Sequence, residues 1–152
     1  MPWFPILLVT HIALAVSLLL PSLLLPFLLR RASEGGAGAD VPAAARILGA
    51  LQGTGSLVIG LGLAATGIGL LAVLGPDLLR KPWLIAALAI YAGNLLVAAL
   101  VSRPNLRRLL GRDVTADPAS WNRRARRQRL LAYAMAAATG LIGFLMSTKP
   151  EL

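Results

Sequence analysis

The sequence contains one histidine, His11, near the start of its first long apolar run. If that run is helical, His11 lies roughly 12 Å below its outer end at about 1.5 Å per residue. An ionisable side chain at that depth in a bilayer is costly, and such residues mark ligands, ion paths or proton relays. A neutral imidazole also ligates haem iron, so haem is a cofactor this residue admits. The alternative is a neutral histidine hydrogen-bonded to a neighbouring helix. Met146 and Lys149 fall on the same membrane side, at the outer end of the last apolar run. Met146 is either a second haem ligand or a packing residue. Lys149 either joins that site or snorkels to the interface.

The other intramembrane polar groups are amides and hydroxyls. Tyr91 and Asn94 form an i, i+3 pair in the third apolar run, and with Gln52, Thr54, Ser56 and Thr66 of the second they are the main intramembrane polar groups. Their structural use is interhelical hydrogen bonding, at about 0.6 kcal/mol per pair. A polar site shared by Asn94 and His11 is the functional alternative. Cysteine is absent and histidine single, so disulfides, thiolate chemistry and a metal cluster have no residues to build on. No acidic residue interrupts an apolar run, and no phosphate loop, nucleophile–base pair or carboxylate dyad occurs. No catalytic residue is assigned, and the reading leans away from an enzyme.

The elements that must hold these residues follow from composition. Of 152 residues, 57% are hydrophobic and 14% charged, where a soluble domain carries charge at about a quarter of its positions. Mean hydropathy is +0.75. The apolar residues form blocks long enough to cross a bilayer, which takes roughly 20 residues. Helices are expected over residues 3–29, 46–74, 83–101 and 118–147, forming one membrane domain over residues 1–152. The class is all-α: a polytopic four-helix membrane bundle.

Nothing basic precedes the first run, whereas Arg30 and Arg31 follow it, which suits a retained anchor rather than a cleaved signal. Pro21 and Pro26 are expected to tilt or kink it. Residues 32–42 read as a glycine-rich loop. Asp117–Pro118 reads as a helix start, the carboxylate capping free amides. The segment 105–112 is either a short amphipathic turn in the interface or an irregular connector. Twelve arginines, from Arg30 to Arg129, fall on one side of this layout, and only Arg80, Lys81 and Lys149 on the other. The positive-inside rule then places the basic loops in the cytoplasm and both termini outside, in a bacterial inner membrane. Trp3 and Trp83 sit at outer helix ends and Trp121 at the inner one, where indoles prefer the interface.

Two features point to partners. Gly53, Gly60 and Gly67 recur at intervals of seven, as do Gly55, Gly62 and Gly69. The two stripes are offset by about 200° on a helix of 3.6 residues per turn, so this helix is expected to be packed from both sides. One stripe leaving room for a flat cofactor is the alternative. Arg123, Arg124, Arg126, Arg127 and Arg129 form a basic run. It reads as a topology signal and lipid-facing surface, or as a dock for an acidic partner. The net charge of +9 is not read as nucleic-acid binding, because no aromatic–basic interleaving accompanies it.

The order of features resembles a group of small bacterial four-helix membrane proteins. The group includes uncharacterised integral-membrane families, copper-resistance D-type membrane domains and HemJ-type protoporphyrinogen oxidases. The likeness rests on His11–Ile12, on Leu25–Pro26, and on the run Met146-Ser147-Thr148-Lys149-Pro150. The HemJ likeness implies His11 as axial ligand of haem b, Lys149 as a polar partner, and oxidation of protoporphyrinogen. Phe27 stands where those oxidases carry arginine. The function expected is therefore a non-catalytic accessory or scaffold subunit of a larger membrane complex, contacting lipids and other subunits or itself. A haem-binding redox protein is the alternative.

Overall fold

The computed structural model describes residues 3–34, 43–110 and 118–149. Among them there is no strand. Helix α1 runs Trp3–Glu34, α2 Ala43–Ala50, α3 Ser56–Leu74, α4 Pro82–Val97, α5 Arg103–Leu110 and α6 Pro118–Thr148. The wide π-helical turn Leu51–Gly55 joins α2 to α3, and a second, Ala98–Ser102, joins α4 to α5. Four stretches are long and apolar enough to cross a membrane: Trp3–Arg31, Arg46–Leu74, Pro82–Leu110 and Ala119–Thr148. These match the four expected helices.

Two boundaries differ. The basic segment 105–112 is not an irregular connector over its described part: residues 105–110 belong to α5, which continues the third span, and 111–112 lie outside the described residues. Its leucines explain this, because Leu106 and Leu109 point inward and are 2% and 0% exposed. The first helix likewise continues past residue 29 to Glu34, beyond where the loop was expected to begin. The rest of that loop, residues 35–42, and the Asp117 cap lie outside the described residues.

The local stops follow from backbone chemistry. Gly75 ends α3 at φ 103°, a conformation with no penalty for glycine alone, and its amide donates to Leu71 O. Pro76 and Pro82 then open a 3-10 turn and α4, where a missing amide costs nothing. Pro21 and Pro26 stand inside α1 without ending it. Both are buried, on the face that carries Ser22, Leu25 and Leu29.

Helix α1 is the hub of the bundle. It packs on α6 along one side and on α3 along the other, while α4 packs on α6 and meets α3 only lightly. The densest core lies at the basic end, where Leu25, Leu29, Leu106, Leu109 and Ala125 form one buried cluster flanked by Leu48, Leu110 and Trp121. Apolar packing thus closes that end. Trp83, at the start of α4, is 8% exposed and packs within the bundle, whereas Trp3 is 69% exposed.

The glycine stripes face identifiable neighbours. A Cβ on Gly62 or Gly69 would touch Leu14 or Leu7 of α1, and one on Gly60 would come within 2.9 Å of Leu95 on α4. Gly53 faces Leu106 and Gly67 faces His11, while Gly55 meets only its own helix. The second span is nevertheless the least enclosed of the four, with 6% of its apolar window buried. Five of its six striped glycines face neighbouring helices, while Val58, Leu61 and Ile68 face out.

This geometry sets a testable order. Gly60→Leu is expected to lower the melting temperature of the detergent-purified protein, because it displaces Leu95 and Tyr91. Gly93→Ala and Gly140→Ala have nothing within 4 Å of the new methyl group and are expected to leave it unchanged or raise it.

Candidate functional site

Three places gather the polar side chains. The first is His11. Its Nδ1 lies 2.9 Å from Thr66 Oγ1 on α3. Thr66 is itself turned back onto its own helix, with Gly62 O and Leu63 O each 3.0 Å from the hydroxyl. Gly67 lies against the ring, so the imidazole is wedged between α1 and α3. Met146 is half-buried and Lys149 exposed, just beyond the last turn of α6. Lys149 has φ 42° and its amide donates to Leu145 O.

The second is a small cavity inside the bundle, with room for about 20 Å³ of water, about one molecule. Ser17 and Ser22 of α1, Gln52 and Ser56 of the second span, Asn94 of α4 and Thr139 of α6 border it. Its hydroxyls donate to backbone: Ser17 to Ala13 O, Ser22 to Leu18 O, Ser56 to Gly53 O and Thr139 to Met135 O. That leaves their lone pairs for the cavity, as lipid-buried hydroxyls commonly do. Gln52 is 1% exposed. Its Nε2 donates to Ser22 Oγ at 3.4 Å, while its Oε1 is buried without a partner. The site is rich in acceptors and suits one donor the size of water.

Tyr91 and Asn94 therefore part company. The Tyr91 hydroxyl donates to Gly60 O on α3. Asn94 Nδ2 turns to α6, toward Thr139 Oγ1 at 3.3 Å and Met135 O at 3.5 Å. Asn94 borders the cavity with Gln52. His11 does not, so the shared His11–Asn94 site does not form.

The third place is at the basic end, where an open cleft of about 530 Å³ lies between α5 and the first turns of α6. Arg108, Arg123, Arg124 and Arg127 line it, and Leu100, Val101 and Pro104 form an apolar wall. A buried chain of amides holds the two helices together beneath it. Asn105 Nδ2 donates to Gln128 Oε1 at 2.9 Å and lies 3.3 Å from Arg124 O, and Gln128 Nε2 donates to Ser102 Oγ at 2.8 Å. Gln128 and Ser102 are 0% exposed. Arg126 points away from the cleft and is exposed, and Arg129 is half-exposed.

The sequence reading did not single out Ser102, Asn105 and Gln128. Their signal was legible: they are uncharged amides and a hydroxyl set among arginines, at positions that helical spacing turns toward the neighbouring helix. Among the described residues no group of three or more histidine or carboxylate side chains comes together to hold a metal. The one hydroxyl beside an imidazole among the described residues is that of Thr66 against His11, and it also lies 3.0 Å from two carbonyls of its own helix.

A helical, four-span membrane protein with polar groups turned inward and arginines gathered at one end is the class this arrangement defines. The chain belongs to the family described as predicted integral membrane protein (DUF2269), whose pattern matches residues 5–150. The match supports the uncharacterised-family part of the resemblance, and not the copper-resistance D-type or HemJ-type part. No curated protein and no solved structure matches the sequence.

The two buried glutamines differ in how they are satisfied, and this separates their variants. Gln128→Leu strands Asn105 and Ser102 and is expected to destabilise the protein by about 1–3 kcal/mol. Gln52→Met removes a weak bond and an unpartnered acceptor, and is expected to cost under about 1 kcal/mol. Thermal unfolding in detergent, followed by circular dichroism, checks the order.

Proposed function

We propose that this protein is a non-catalytic accessory or scaffold subunit of the bacterial inner membrane, with its arginine-rich end in the cytoplasm. The observation that carries this reading is the outer face of the second span. Ile47, Leu51, Thr54, Val58, Leu61, Ala65, Ile68 and Ala72 are all exposed, and they recur at alternating intervals of four and three. That is the period of about 3.5 residues with which two helices keep one seam in contact. The seam passes through the small residues Thr54, Ala65 and Ala72, where a partner backbone can approach closely. It is suited to a transmembrane helix of another subunit or of a second copy.

The inward amide and hydroxyl bonds join helices of this chain to one another, which leaves the outer surfaces for partners and lipid. The arginine end adds an electrostatic contact under the same reading.

The haem reading is the alternative. His11 Nδ1 is engaged with Thr66 and the ring lies against Gly67, which leaves Nε2 as the nitrogen that would ligate iron.

Two measurements test this. Ala65→Phe, which fills the middle of the seam, is expected to reduce recovery of co-purifying membrane subunits or of the crosslinked dimer. Leu23→Phe, on the outer face of α1, is expected to leave recovery unchanged; equal loss from both, or from neither, removes the seam as the contact. The absorption spectrum of protein expressed with ample haem is expected to show no Soret band. A band lost in His11→Ala while the protein stays folded would establish the haem reading instead.

A further inference from the structure

From the arginine cleft between α5 and α6 we infer a binding site for one anionic phospholipid, with the phosphodiester among Arg108, Arg124 and Arg127 and an acyl chain along Leu100 and Val101. The inference goes beyond the scaffold reading and does not rest on it.

Three features of the cleft point to an amphiphile carrying a phosphate. The first is its charge. Arg123 and Arg127 stand one helical turn apart, about 5–6 Å between Cβ atoms, where like charges oppose each other. Arg108 faces them from α5. None of these arginines forms an ion pair among the described residues, so an anion in the cleft relieves the repulsion. Guanidinium groups also match the paired oxygens of a phosphate.

The second feature is where the cleft lies. The chain changes from apolar to basic between Val101 and Arg103 on the third span, and between Leu130 and Arg129 on the fourth. The cleft straddles that boundary: its apolar wall belongs to the membrane side and its arginines to the water side. Leu100 is 71% exposed and open to an acyl chain. Free phosphate or a nucleotide would leave this wall unused, and an acidic peptide would come from the aqueous side without covering it. Basic pockets between transmembrane helices on the cytoplasmic side bind anionic lipid head groups in this way.

The third is rigidity. The buried Asn105–Gln128–Ser102 chain, together with the contact of Asn105 to Arg124 O, fixes α5 against α6. The spacing between Arg108 and Arg124 is set before any ligand arrives, which lowers the ordering cost of binding.

The test is native mass spectrometry of the full-length protein in detergent, titrated with phosphatidylglycerol and, separately, phosphatidylcholine. The wild type is expected to retain phosphatidylglycerol selectively. Arg124→Gln with Arg127→Gln is expected to weaken it roughly 30-fold, from about fivefold for each arginine near an anionic lipid. Arg107→Gln with Arg126→Gln removes the same charge from positions outside the cleft and is expected to change it only slightly. Equal weakening by the two pairs would reduce the site to diffuse surface charge, and equal retention of both lipids would overturn it. So would an acidic peptide that binds through Arg124 and Arg127 and is not displaced by phosphatidylglycerol. Circular dichroism checks that each variant is folded. If the glutamine pair fails to fold, Arg124→Lys with Arg127→Lys is expected to bind several-fold more weakly, since lysine lacks the guanidinium fork; binding equal to the wild type overturns the proposal.

Discussion

In hydrocarbon the helices gain little from hiding apolar surface, because lipid tails are as apolar as leucine. What holds this bundle together is close approach of helix surfaces and the internal satisfaction of most polar groups that cannot reach water. Both depend on α1. Its leucines Leu7 and Leu14 lie over the glycines of α3, and its Leu25 and Leu29 enter the core shared with α5 and α6. Glycine on α3 makes the first contact close. Leucine on α5, in a segment otherwise dense with arginine, makes the second.

The same constraint sorts the polar residues. Serine and threonine hydroxyls mostly turn onto carbonyls of their own helices, the Tyr91 hydroxyl crosses from α4 to α3, and amides reach across to a neighbour: Asn94 to α6, Gln52 to α1, Asn105 to α6. Gln52 Oε1 and Arg103 Nε stand out because each is buried without a protein partner. One borders a water-sized cavity; the other sits at the basic end. The two π-helical turns coincide with buried polar residues, Gln52 in one and Ser102 in the other. Such turns frequently mark functional positions, and here they set the level at which polar chemistry enters an otherwise apolar interior.

Much of the fold was legible because long apolar blocks and one-sided arginine admit few arrangements. Apart from the inner end of the third, the spans fell within a few residues of their observed limits. The end of the third span was missed because arginine density outweighed the leucine spacing of 106, 109 and 110, although those leucines decide the local structure once a neighbouring helix covers them. Of the candidate site, the membership of Gln52 and Asn94 in a polar interior was readable from residue type. Which residues share a cavity was not. Tyr91 and Asn94 lie one turn apart yet answer to different neighbours, and His11 pairs with Thr66, not with Asn94. Helix rotation decides such pairings, and two glycine stripes on nearly opposite faces fix it poorly from sequence.

The pairing of α1 with α6 has a consequence for biogenesis. Spans enter the membrane in chain order, so the first waits for the last before its interface is complete. Until α6 arrives, Asn94 lacks the Thr139 hydroxyl and the Met135 carbonyl it turns to in the finished bundle. The hairpin of α3 and α4 offers little substitute, since those helices meet only lightly. A three-span chain is therefore a species with an unmet amide in hydrocarbon, recognisable to membrane quality control until its final helix is delivered.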